Sequence, residues 1–142
     1  MLTTIGNTRI MGSRADLTTL ANQFDPAKAT CRAIIETPKG SRNKFDYDPE
    51  SNLFILAGLL PEGMMFPFDF GFIPSTQGED GDPLDIMVLM DAPAHVGCLI
   101  DVRIIGIIDA EQTEEGQTEK TAGFLAPRSI HTKTKILSPS LT

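Results

Sequence analysis

Before residue 110 this 142-residue chain keeps no apolar stripe at helical spacing; short β-branched and aromatic runs alternate instead with proline and glycine. That rhythm constrains the fold more than any other feature. Ala33-Ile34-Ile35-Glu36-Thr37 reads as a strand stopped by Pro38 and Gly40. Lys44 to Asp48 alternates charge with aromatic until Pro49 breaks it, as a half-buried strand does. Leu53 to Leu56 is the next apolar run, followed by a turn at Pro61-Glu62-Gly63. Phe66, Phe68, Phe70 and Phe72 recur at period two, and the interruptions at Pro67 and Gly71 predict an edge or bent strand. Asp85–Met90 and Val102–Ile108 are two further strands, separated by a loop over residues 92–97. Many short strands between turn signals predict a mostly-β (α+β) chain closed, or nearly closed, into a small β-barrel.

One domain accounts for this length. Residues 1–24 read as a polar leader, 25–127 as the barrel and 128–142 as a short polar and basic tail; the charged run EQTEEGQTEKTA at 111–122 reads as an exposed hairpin or loop. The leader has no compact hydrophobic region followed by a cleavage site, and the longest apolar run, Leu53 to Leu60, is far short of the ~18 residues of a spanning helix. Cys31 and Cys98 lie far apart without CxxC spacing and are expected to be free, buried thiols. A cytoplasmic protein without membrane association is the expectation.

Charge narrows the chemistry. Nineteen acidic against 12 basic residues give a net charge of -7, a poor match to nucleic acid, whose phosphates need lysine and arginine. Of the 19, 11 fall between Glu79 and Glu119, where the one base is Arg103. The segment Glu79-Asp80-Gly81-Asp82-Pro83-Leu84-Asp85 concentrates them. Gly81 permits close backbone approach and Pro83 blocks a helix; Asp80 and Asp82 project to one side, and the turn after them can bring Asp85 to the same point. Three hard oxygen donors beside an apolar strand suit Mg²⁺, with Mn²⁺ as a substitute, because such ions keep several waters. A calcium loop of EF-hand type fails, since the pattern would place Leu84 at a ligand position and Asp85 at the glycine. A solvated acidic turn is the plain alternative. His95 and His131 stand alone in loop-like sequence, and no nucleophile elbow, P-loop or zinc-peptidase motif occurs.

The run DGDPLD at 80–85, preceded by MMFPFDFGFIPSTQGE and followed by IMVLMDAP, resembles the soluble, metal-dependent inorganic pyrophosphatases. The likeness spans roughly Ile34 to Ile108. It implies an OB-like barrel with few peripheral helices, assembly into a homo-oligomer, and hydrolysis of pyrophosphate with Mg²⁺. By motif position it implies that Asp80, Asp82 and Asp85 hold metal and that Asp82 is also the catalytic base. Glu36 in IIETP and Lys44 in GSRNKFDYD would face substrate, with Asp46 and Glu111 as further acidic groups. The chain departs from the family's pattern at Ala57, where relatives carry a cation, and at Phe70, where they carry tyrosine; no tyrosine follows Tyr47. These departures define a second reading, a truncated or degenerate member that binds metal or a partner subunit without turnover.

Overall fold

Strand-forming runs and turn residues become eight strands in the computed structural model, which describes residues 15–114 and 117–127, with side chains described through residue 108. The strands are β1 (Thr30–Thr37), β2 (Asn43–Asp48), β3 (Leu53–Leu59), β4 (Asp69–Ile73), β5 (Leu84–Leu89), β6 (Leu99–Arg103), β7 (Gly106–Glu114) and β8 (Gln117–Pro127). Six form one sheet in the order β6-β1-β4-β5-β8-β7, while β2 and β3 pair as a separate hairpin. Neighbours are antiparallel except β5 and β8, which run parallel. The sheet curls so that β6 returns against β8, leaving it nearly closed. Among the described residues the helical content is one 3-10 turn at Leu17–Thr19.

Burial explains the curl. Alternate residues of β1 (Cys31, Ala33, Ile35) join Ile73, Ile86, Val88, Ile100 and Val102 in one core. Ile34 points the other way and packs with Tyr47 and Phe72, against which Leu17, Leu20 and Phe54 are laid. With both faces covered, the middle of β1 reads as a continuous apolar run rather than an alternating one. Cys31 and Cys98 are free thiols, as their spacing suggests; Cys31 is buried and Cys98 partly so, and burial pushes the Cys31 thiol up to about 11.

Two expectations are corrected. The phenylalanine-rich strand is shorter than its period suggests, and of the two expected forms, an edge or a bent strand, the edge is excluded, because β4 lies inside the sheet between β1 and β5. Pro67 precedes β4 and so removes no ladder donor, whereas Gly71 is what permits the interior position. A Cβ there would sit 1.9 Å from the Ile34 carbonyl oxygen. The run from Val102 to Ile108 is two strands, because the chain leaves the β6 ladder after Arg103 and the Ile104 N–H donates instead to the Ala29 carbonyl at 2.8 Å. Within residues 15–24, Asp16 caps the 3-10 turn by accepting from the Thr18 N–H at 2.9 Å, and the Leu17 N–H donates to the Tyr47 hydroxyl at 3.0 Å. Asn22 Nδ2 donates to the Pro74 carbonyl at 2.9 Å. The hairpin or loop read from residues 111–122 takes the hairpin form, β7 pairing antiparallel with β8 and Glu111 lying opposite Lys120. The rest of the leader, and the tail with His131, Lys133 and Lys135, lie outside the described residues.

Gly71→Ala is expected to destabilise the fold by about 3 kcal/mol or more, since the clash is with backbone that cannot repack. Gly106→Ala, where a Cβ meets nothing within 4 Å, is the control expected to stay near the parent value in chemical denaturation.

Candidate active site

Two irregularities in the strands aim the candidate residues. The β1–β4 register shifts between Ile35 and Thr37, making Glu36 the extra residue of a β-bulge and turning its carboxylate away from the ladder. Its Oε1 accepts the Tyr47 N–H at 2.8 Å. The β2–β3 register shifts opposite Lys44 and Phe45, with Ala57 the unpaired residue on β3. Lys44 and Asp46, two apart on β2, do share a face, and the Lys44 Nζ lies 3.2 Å from Asp46 Oδ2.

The acidic loop enters from the far side. Gly81 adopts φ +89°, the left-handed conformation the DGDP turn needs. Asp80 Oδ1 accepts the Asp82 N–H at 3.0 Å, the Asp82 carbonyl accepts the Gly78 N–H at 2.7 Å, and Thr76 Oγ1 accepts the Leu84 N–H at 2.9 Å. These bonds fold the loop so that Asp85, near the start of β5, faces the same cleft as Asp80 and Asp82. The cleft has a volume of about 580 Å³, and Glu36, Lys44, Asp46, Asp80, Asp82 and Asp85 all line it. Tyr47, Phe66, Phe70 and Phe72 supply its apolar wall. Thus six of the seven site residues read from the sequence converge; for the seventh, Glu111, only the backbone position on β7 is described.

Five carboxylates around one cation make the cleft electrostatically tense. Burial, with added repulsion from Asp46 and Asp85, pushes the Glu36 carboxyl from 4.5 up to about 7, against the lowering effects of the Tyr47 N–H and Lys44. Burial, then the charge of Asp80, pushes Asp85 from 3.8 to about 6, with Lys44 opposing and Asp82 and Asp46 adding to the rise. A divalent cation would relieve both. Every acidic donor is a hard oxygen, as such an ion requires, although among the described residues no three acidic, histidine or cysteine groups are gathered tightly enough to hold one as they stand. An ion here would therefore keep much of its water shell.

Sequence reasoning missed two residues of the surroundings. Asp69, fully buried, accepts the Lys39 N–H at 2.6 Å and the Ala94 N–H at 2.9 Å, tying the β1–β2 and β5–β6 connections to β4. Thr37, equally buried, contacts β2. An aspartate between phenylalanines and a threonine before proline carry no signal of such roles.

A mostly-β protein with a carboxylate-rich cleft is the class that fold and site define. The family model described as "Inorganic pyrophosphatase" matches residues 33–121. The inorganic pyrophosphatase of Thermus thermophilus is 42% identical over 102 residues, covering 72% of this chain and 58% of the relative. That of Synechocystis is 44% identical over 84 residues, covering 59% of this chain and 50% of the relative. The crystal structure of the Thermus thermophilus inorganic pyrophosphatase superposes with a TM-score of 0.73 at 36% identity, covering 82% of this chain and 64% of that one. This chain belongs to the inorganic pyrophosphatase family. It spans about half the length of the curated relatives it matches.

The raised carboxyls set a direction for pH. The folded state holds these protons more tightly than the unfolded chain, so their contribution to stability is full below about pH 4 and falls as pH rises through about 6 and 7. Urea midpoints without metal are expected to decline across that window. Glu36→Gln, which keeps an acceptor for Tyr47, is expected to flatten the decline, and added Mg²⁺ to raise the midpoint at neutral pH.

Proposed function

We propose that this chain hydrolyses inorganic pyrophosphate to two phosphates with the help of Mg²⁺, for which Mn²⁺ can substitute. The observation that carries this reading is the convergence of Lys44 with Glu36, Asp46, Asp80, Asp82 and Asp85 on one cleft. Asp80, Asp82 and Asp85 would hold the metal, which when bound supplies positive charge for the substrate and lowers the pKa of water. The chain's own residues do the rest. Lys44, on the exposed lip of the cleft, places an ammonium against a phosphate oxygen. Asp82 accepts the proton of the attacking water as its oxygen bonds to one phosphorus and the bridging P–O bond breaks, so that two phosphates leave. Glu36 shapes the inner wall, Asp46 orients Lys44 through their ion pair, and Glu111 adds an acidic group from β7. The aromatic wall of Phe66, Phe70 and Phe72 limits water around the reacting atoms.

The reading extends to a cytoplasmic homo-oligomer acting on a small molecule, apart from membranes and nucleic acid. Free Cys31 and Cys98 support a reducing compartment. Exposed Ile55, Leu56, Leu59, Met64 and Met65 on and beside β3 support burial against further copies.

A second reading, metal binding without turnover, is favoured by one feature: Lys44 is the one cation among the described residues lining the cleft, and the neighbouring Ala57 and Phe70 add neither charge nor hydroxyl. Phosphate release from magnesium pyrophosphate separates the two. Turnover is expected, abolished by chelation with EDTA and reduced at least about 10²-fold in Asp82→Asn. Lys44→Ala is expected to raise KM about tenfold, the loss of one charge-assisted hydrogen bond. Mg²⁺ binding by the folded chain with no phosphate release would instead establish the second reading.

A further inference from the structure

Lys44 and Asp46 are carried by β2, yet β2 has no backbone ladder to the six-stranded sheet that carries Glu36 and Asp85. Its ladder partner is β3, while the partners of β1 are β4 and β6. Side chains of β1 bridge the gap. Thr37 Oγ1 donates to the Phe45 carbonyl at 2.9 Å and accepts the Phe45 N–H at 3.0 Å. One residue back, Glu36 Oε1 accepts the Tyr47 N–H. A single hydroxyl therefore satisfies both main-chain groups of the residue between Lys44 and Asp46. On the opposite side β3 partners Lys44 with Gly58 and Asp46 with Ile55, but the register shifts between Lys44 and Phe45, so that ladder alone does not set how β2 lies against β1.

We propose that Thr37 is a positioning residue: its buried hydroxyl stands in for a ladder between β1 and β2 and fixes where Lys44 and Asp46 meet the substrate. The bulge at Glu36 sets this up, shifting the register so that Thr37 is the residue aligned with Phe70. A threonine present only to fill the core would be replaceable by valine of the same shape. A threonine that positions β2 would not, since valine leaves the Phe45 N–H and carbonyl without a partner. The kinetic consequence rests on the pyrophosphatase reading; the structural consequence does not.

The test compares Thr37→Val with Thr37→Ser, which keeps the hydroxyl and loses the methyl. In steady-state pyrophosphate hydrolysis Thr37→Val is expected to raise KM about tenfold, in line with a displaced substrate contact, while the Mg²⁺ concentration for half-maximal activity stays at the parent value. Thr37→Ser is expected to restore KM despite a lower thermal midpoint. In a Lys44→Ala background Thr37→Val is expected to change KM no further, because the path of the effect is gone. An unchanged KM in Thr37→Val, or an effect that adds in full to that of Lys44→Ala, overturns the proposal. Should the parent chain release no phosphate, the pyrophosphatase reading fails separately, and amide hydrogen exchange decides positioning. Faster exchange at Phe45 in Thr37→Val but not in Thr37→Ser supports it; parent-like exchange in both refutes it. If Thr37→Val does not fold, Thr37→Ala, which admits water to Phe45, takes its place in both measurements.

Discussion

The paired strands β1 and β4 bring their backbones so close at Ile34 and Gly71 that no side chain fits at Gly71. Around that contact the rest of the molecule is arranged. It leaves Ile34 and Phe72 free to stack toward Tyr47 on one face, while Ile35 and Ile73 enter the main core on the other. The same strand then bulges at Glu36, directly after its most buried stretch. A regular strand would have sent Glu36 and Thr37 to opposite faces; the bulge lets both reach β2. One strand thus belongs to the core along most of its length and to the cleft at its end.

The cleft works against the stability of the fold around it. Carboxylates from the bulge, from β2 and from the acidic loop face a wall of aromatic rings, and partial removal from water raises two of them toward neutrality. Low local polarity strengthens this repulsion, and it equally strengthens the hold on a cation placed among them. The acidic loop is built to tolerate the strain, with Gly81 in a left-handed conformation and backbone bonds tying Gly78 to Asp82 and to Gly81. Lys44 offsets part of the negative charge but is itself shared with Asp46. Such a cleft presents the hard oxygen donors that a divalent cation requires.

Much of this is legible in the sequence. The turn residues at Pro38, Pro49, Pro61 and Pro83 delimit strands where they were expected, and the spacing of Asp80, Asp82 and Asp85 brought them to one cleft. Lys44 and Asp46 share a face for the simple reason that strand side chains alternate. The errors came where tertiary contact overrides local pattern. Period two extends the phenylalanine strand backward through Phe66 and Phe68, which flank Pro67 outside the ladder, and its proline and glycine suggest an edge or a bent strand, although Gly71 marks a close backbone approach to β1 inside the sheet. The break at Ile104 is made by a bond to Ala29, distant in sequence, and no local rule reports it.

The order of short strands, the absence of helix periodicity before residue 110 and the identities of the acidic residues and the lysine follow from the sequence alone, because alternation and turn chemistry act over a few residues. Only the tertiary structure decided that Glu36 sits on a bulge, that Asp69 joins two connections to β4, and that one threonine hydroxyl attaches the lysine-bearing hairpin to the sheet. These depend on which backbone groups lie opposite one another once distant segments pack. That choice belongs to the whole chain's burial rather than to any stretch of it.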